Sequence, residues 1–200
     1  MVPSAESLTG VYATGQFKLN CCEFCDDVFA EVADIAFMDA WLPEYVVDGR
    51  GTNIVIARSA AAEAVLRDGA SRGEICLEPL DISRVIESQD SCLLIKRTFL
   101  PYRLYLADHA GEPRPARRVG PRKPPWVVKR WLVAMRRIRQ ASLQLMRAQQ
   151  HASPIGVELY ETGMRRHVAA YFRWKRRYYT VHAYWQTAKR RFLRRNPNKR

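Results

Sequence analysis

The spacing of hydrophobic residues changes character several times along this chain, and each change marks an expected element. Residues 1–20 have no clear period and read as an extended lead-in. Asp26 or Asp27 is a candidate cap for a short helix carrying Val28, Phe29 and Val32. Residues 33–38, apolar except for Asp34, predict a buried strand, and Pro43 is expected to stop regular structure after Asp39, Ala40 and Trp41. A turn at residues 48–51 leads into a β-branched run, Thr52 to Arg58, apolar enough to be covered on both faces. Ser59 caps a helix to about Ala70 whose apolar face is Ala62, Val65 and Leu66, Gly73 ends it, and residues 74–78 predict another short strand. Strand, helix and strand in so short a span form a crossover unit, so the expected class is α/β, with a short mixed or parallel sheet and flanking helices.

Further on, Asp81 caps a helix to roughly Lys96 with Ile82, Val85, Ile86, Leu93 and Leu94 toward a core, and residues 99–107 extend the packing with Phe99, Leu100, Tyr102, Leu104 and Tyr105. Residues 111–125 hold Pro113, Pro115, Pro121, Pro124 and Pro125 among basic residues, the composition of a linker. Two helical patterns follow. Residues 126–150 place Val128, Trp131, Leu132, Met135, Ile138, Leu143 and Leu145 at three- and four-residue steps, and residues 157–195 interleave aromatics such as Tyr160, Tyr171, Trp174 and Trp185 with Arg and Lys. The expected organisation is a domain over 1–110, a linker over 111–125 and a basic α-helical extension over 126–200.

Charge sharpens that division. The 200 residues carry a formal net charge of +13. Residues 1–95 hold 6 basic and 16 acidic side chains, a net of −10, whereas residues 96–200 hold 27 basic and 4 acidic, a net of +23. Two parts with different partners fit this split better than one uniformly basic nucleic-acid-binding domain. The 48% hydrophobic content excludes wholesale disorder. No apolar run approaches the roughly 20 residues that cross a bilayer, and residues 1–10 lack a secretory pattern, so the expected location is cytoplasmic.

Candidate chemistry starts with the cysteines. Cys22 and Cys25 have a Cys-x-x-Cys spacing, which lets two sulfurs converge on one metal or cluster, with Cys21 as an alternative first ligand. The pair could be half of an iron–sulfur site, half of a zinc site, a redox dithiol, or two buried thiols. A thioredoxin-like dithiol ranks low, because no convincing strand precedes Cys21. Cys76 and Cys92 read as small core residues, and five cysteines in an unexported chain argue against a disulfide framework. His151, His167 and His182 are scattered and His109 is expected in a loop, so no histidine metal site emerges. Gly49 and Gly51 before a strand, followed by Arg58 and Ser59 at a helix start, form either a plain connecting turn or a place where backbone and guanidinium meet phosphate.

Taken in order, Cys22, Cys25, Asp26 and Asp27, then Ala33, Asp34 and Ile35, then Asp39, Ala40 and Trp41, then the run from Gly51 to Ser59 resemble the C-terminal domain of the coenzyme F(420) hydrogenase/dehydrogenase beta-subunit family. The resemblance implies an electron-transfer oxidoreductase module in which FAD sits beside an iron–sulfur cluster. It exchanges electrons with a redox partner protein or a deazaflavin coenzyme. It makes Cys22 and Cys25 cluster thiolates and places Gly51, Thr52, Asn53, Arg58 and Ser59 near the flavin. Asp39 and Trp41 occupy a motif for which a structural role is as good a reading as a cofactor contact. Family members are usually longer, with an N-terminal domain and often a cysteine-rich segment upstream, so further ligands are expected from elsewhere, such as a separate N-terminal-half subunit.

The basic helices admit three readings: a solvated helical appendage, a surface that docks on an anionic membrane or acidic partner, and a nucleic-acid-binding surface. Nucleic acid ranks last, because no named nucleic-acid motif is present. The rival to the oxidoreductase is therefore a non-catalytic binding protein whose basic aromatic helices carry the function.

Overall fold

The computed structural model describes residues 14–149 and 157–195; most of the expected lead-in (residues 1–13) and His151 lie outside the described residues. The chain divides into two compact units, one of residues 23–104 with 114–120 and the other of residues 1–22, 105–113 and 121–200.

The first of these is built around a two-stranded sheet. β1 (Ile35–Asp39) pairs antiparallel with β2 (Asn53–Ala57), with Ala36 opposite Ile56 and Met38 opposite Ile54. Period-two alternation puts those four residues on one face and Phe37 with Val55 on the other. Ala36 and Ile54 are buried, whereas Phe37 is 65% exposed, so the sheet is covered on one face and not on both as expected. Between the strands, Pro43 opens a one-turn helix, α1 (Pro43–Val46), where the sequence predicts an end to regular structure: at the first helical position its missing N–H costs nothing. Residues 48–51 then turn the chain, with the Gly51 N–H donating to the Asp48 carbonyl at 3.1 Å.

α2 (Ala60–Ser71) starts where expected, the Ser59 hydroxyl accepting the Ala62 N–H. Only Ala62 and Leu66 of its apolar face are half-buried; Val65 is 70% exposed. The strand expected at 74–78 does not form. Gly73 adopts φ +71°, Glu74 pairs with Arg72, and Ile75, Cys76 and Leu77 stand exposed with no strand to meet. The sheet of the described residues is accordingly an antiparallel pair without a crossover. Cys76 is thus not a core residue, while Cys92 is half-buried.

α3 (Ile82–Ser88) is capped by Asp81, whose carboxylate accepts the Ser83 N–H at 2.8 Å. The helix expected to reach Lys96 breaks at Gln89. It resumes as α4 (Asp90–Leu93) and a π-helical segment (Leu94–Thr98), in which the Phe99 N–H reaches back five residues to Leu94 O at 3.0 Å. α5 (Leu100–His109) follows, so His109 ends a helix and does not sit in a loop; Leu100 and Leu104 are buried.

The other unit is dominated by two long helices. α6 (Trp126–Gln149) begins after Pro124 and Pro125, and α7 (Val157–Arg195) runs 39 residues. Trp131, Leu132 and Ile138 of α6 and Tyr160, Met164 and Tyr171 of α7 are among its buried apolar residues. Trp131 anchors an aromatic group, its ring 5.1 Å from Tyr178 and 6.3 Å from Tyr171. No helix among the described residues is long and apolar enough to cross a membrane.

Candidate functional site

The segment around Cys25 is where the acidic half of the sequence meets the first basic residues of the other half. The short helix expected after Asp27 is absent. Asp27 instead caps a turn, its Oδ1 accepting the N–H groups of Phe29 and Glu31 at 3.1 Å each. The regular element precedes it: a 3-10 helix (Asn20–Phe24) carries Cys21, exposed, and Cys22, half-buried with its N–H on Leu19 O. Cys22 and Cys25 fall on opposite sides of the division between the two units. All five cysteines are free thiols.

Three cations converge on the Cys25 segment. Lys96 Nζ lies 3.8 Å from Cys25 Sγ and donates to Asp27 O at 2.6 Å. Arg97 donates to Asp26 O at 3.2 Å, pairs with Glu31 and lies over the Phe29 ring. Arg103 is buried, and its guanidinium donates to three carbonyls: Glu23 O at 2.5 Å, Ile95 O, and Lys96 O at 3.4 Å. The last two belong to the π-helical segment, whose irregular bonding leaves acceptors available to a side chain. Burial lowers the Arg103 pKa from its ordinary value, while the charges of Glu23 and Cys25 oppose that shift.

None of these cations was singled out from the sequence. The available signal was the sign reversal at residue 96, where an acidic half gives way to a basic one. The targets could not be read, because most are backbone carbonyls.

The glycine turn is a separate feature. Asp48 accepts the Arg50 N–H at 3.0 Å and pairs with its guanidinium, which holds the Asp48 carboxyl below its usual range. Gly51 has φ +81°, and a Cβ there would meet nothing within 4 Å. Glycine is needed for backbone conformation, and the space beside it is open. Thr52 and Asn53 are exposed, Asn53 opening β2. Arg58 donates to Ala33 O at 2.9 Å and Phe29 O at 2.6 Å, bracing the turn that follows Asp27, and Ser59 is engaged as the α2 cap. The Asp39 carbonyl accepts from Ser88 and Gln89, and the Trp41 N–H donates to Ser88, so the backbone of that motif has a structural task; the Trp41 ring is 58% exposed.

Among the described residues, no group of three or more His, Cys, Asp or Glu side chains gathers to hold a metal ion. No curated protein and no solved structure matches the chain. Residues 4–83, which include both the Cys22 and Cys25 motif and the run from Gly51 to Ser59, match the family described as the C terminus of the coenzyme F(420) hydrogenase/dehydrogenase beta subunit.

Proposed function

We propose that the chain forms part of an electron-transfer oxidoreductase of the F(420) hydrogenase/dehydrogenase beta-subunit type that works with FAD and an iron–sulfur cluster. The family match over residues 4–83 carries this reading. Two thiols at Cys-x-x-Cys spacing suit two positions of a cluster, and the cations around Cys25 suit thiolate ligation. Among the described residues no group of three or more donors gathers, and in this reading the remaining thiolates come from outside them, from a cysteine-rich redox partner or an N-terminal half.

In this reading each group of the chain has a task. Cys22 and Cys25 ligate, Lys96 and Arg103 offset the negative charge of the sulfurs, and Arg58 braces the turn between Asp27 and the start of β1. Gly51, Thr52 and Asn53 present backbone to the flavin, and the N-terminal turn of α2, capped by Ser59, faces its phosphates. When bound, the cluster supplies single-electron transfer and the flavin couples it to hydride exchange with a deazaflavin or another acceptor.

The test is anaerobic reconstitution with iron, sulfide and FAD, alone and with a cysteine-rich partner protein. Cluster absorbance that is lost in Cys22→Ser and Cys25→Ser supports the assignment. Absence of both cluster and flavin with the partner present overturns it.

A second reading has one observation in its favour. α7 carries no acidic residue after Glu161, and Tyr184 and Trp185 are 75% and 69% exposed on it. A non-catalytic protein docking this helix on an anionic membrane surface or acidic partner would show salt-sensitive binding to acidic vesicles that survives the Cys22→Ser, Cys25→Ser double change.

A further inference from the structure

α6 and α7 leave a groove between them whose two ends differ in chemistry. One end, with a volume of about 740 Å3 within the range of small-molecule sites, has Leu145, Ala148, Gly163 and Ala169 in its wall, with Thr162 and Arg165 at the same end. The other, about 520 Å3, is walled by Arg137, Gln140, Arg166 and His167. Gln144, Arg166 and His167 line both, so the groove is continuous. Gly163 sets its floor. A Cβ there would stand 2.8 Å from one methyl of Leu145 and 3.0 Å from the other, so only glycine lets Leu145 lie undisturbed against the α7 backbone.

The polar end is cationic, and no carboxylate lines it among the described residues. Arg67, Arg72, Arg84 and Arg136 each pair with a carboxylate, but none of these four lines the groove. Arg137 from α6 and Arg166 from α7 flank His167, and Arg166 Nε donates to His167 Nε2 at 3.2 Å, which leaves the imidazole proton on Nδ1. Burial first, then the charges of Arg166 and Arg137, lower the His167 pKa from its usual value. Two guanidiniums and an imidazole around one space match the several oxygens of a phosphate better than the two of a carboxylate.

We propose that this groove binds a phosphate-bearing amphiphile, with the phosphate between Arg137, Arg166 and His167 and the hydrocarbon along Leu145 and Ala148. The groove lies outside residues 4–83 and shares no residue with the redox assignment, so the two readings stand or fall separately.

The test titrates the full chain with monododecyl phosphate below its micelle concentration, and in parallel with inorganic phosphate and with dodecyl maltoside, while NMR follows the His167 imidazole. Dodecyl phosphate should bind and raise the His167 pKa, because a neighbouring anion favours the imidazolium. Inorganic phosphate should move the same resonance in the same direction but bind at least about tenfold more weakly, lacking the apolar contact. The double change Arg137→Gln, Arg166→Gln should weaken dodecyl phosphate by about tenfold or more. Ala148→Phe should weaken it while leaving inorganic phosphate unaffected. Arg173→Gln with Arg176→Gln, on α7 but outside the groove, should change neither. Equal binding by the wild type and the Arg137, Arg166 variant, an unmoved His167, equal affinity for inorganic phosphate, or equal binding of the maltoside would each overturn the proposal.

Discussion

Ser88 Oγ accepts the backbone N–H of Trp41 at 2.9 Å, joining the end of α3 to the chain just beyond β1 across 47 positions of sequence. The same hydroxyl donates to Asp39 O at 3.2 Å, and Ser88 is 3% exposed. A small polar side chain therefore fixes where the strand stops. Ser88→Ala removes both bonds and the one that the hydroxyl accepts from Gln89 Nε2 at 3.2 Å. The Asp39 carbonyl keeps Gln89 as a donor, and Trp41 N–H keeps only a weak local contact with Asp39 O. The expected loss is about 1–2 kcal/mol in denaturant unfolding. Ser88→Thr, which restores the hydroxyl, should recover part of it. An unchanged midpoint in the alanine variant would show that the bond contributes nothing.

Arg103 is the second such tie, and its replacement separates charge from geometry. Its guanidinium reaches Glu23 O, Ile95 O and Lys96 O together, a spread the single ammonium of lysine cannot match. Arg103→Lys should therefore lose about 2 kcal/mol although the charge is kept, and Arg103→Met about 3 kcal/mol as three part-buried carbonyls lose their charged donor. Hydrogen exchange is the sharper measurement. Amides of residues 94–99 should lose protection in both variants, whereas those of α2 should not.

The long elements were legible and the short ones were not, for physical reasons. α6 and α7 begin where the pattern predicts, because each repeats its apolar spacing over many turns and α6 has a proline pair at its head. Ser59 and Asp81 cap as expected, since a cap is decided by atoms two or three residues away. The strand at 74–78 failed because a strand needs a partner, which its own residues do not report. Asp27 was right as a capping residue but capped a turn, a difference decided by Arg58, Lys96 and Arg97 arriving from far along the chain. For the candidate site, the cysteine spacing, the glycine turn and the family resemblance were all readable. The cations around Cys25 were readable only as a change of sign at residue 96.

Gly51 offers a test that needs no cofactor. At φ +81° an L-residue is strained, and the position is sterically open, so Gly51→Ala should cost about 1 kcal/mol from the backbone alone. Gly49→Ala, with no positive φ and nothing within 4 Å of an added Cβ, should be neutral. Equal effects of the two substitutions in thermal unfolding would contradict the left-handed turn. In the reconstituted protein, a loss of flavin affinity in Gly51→Ala beyond that of Gly49→Ala would add support for the turn as a flavin contact.

Alkaline pH should expose the role of Tyr160. The residue is 4% exposed, its hydroxyl donates to Gln16 Oε1, and its ring stacks on Phe17 at 5.4 Å. Phe17 holds φ +60° while its N–H donates to Ser142 Oγ at 2.9 Å, so this stack helps keep a strained backbone in place. Burial pushes the Tyr160 pKa up to about 12 from 10.0. The folded state then retains the phenol proton where the unfolded chain releases it. Its contribution is complete below pH 10 and disappears as pH rises toward 12, a loss on the order of 2 kcal/mol. Tyr171 is shifted the same way by burial, so wild type alone cannot isolate the effect. The stability difference between wild type and Tyr160→Phe can. It should start at about 1 kcal/mol in favour of wild type near pH 8, from the lost Gln16 bond, and reverse by pH 12, because phenylalanine has no proton to lose. A difference that stays constant across that interval would place the Tyr160 hydroxyl in water and remove the physical basis for the shift.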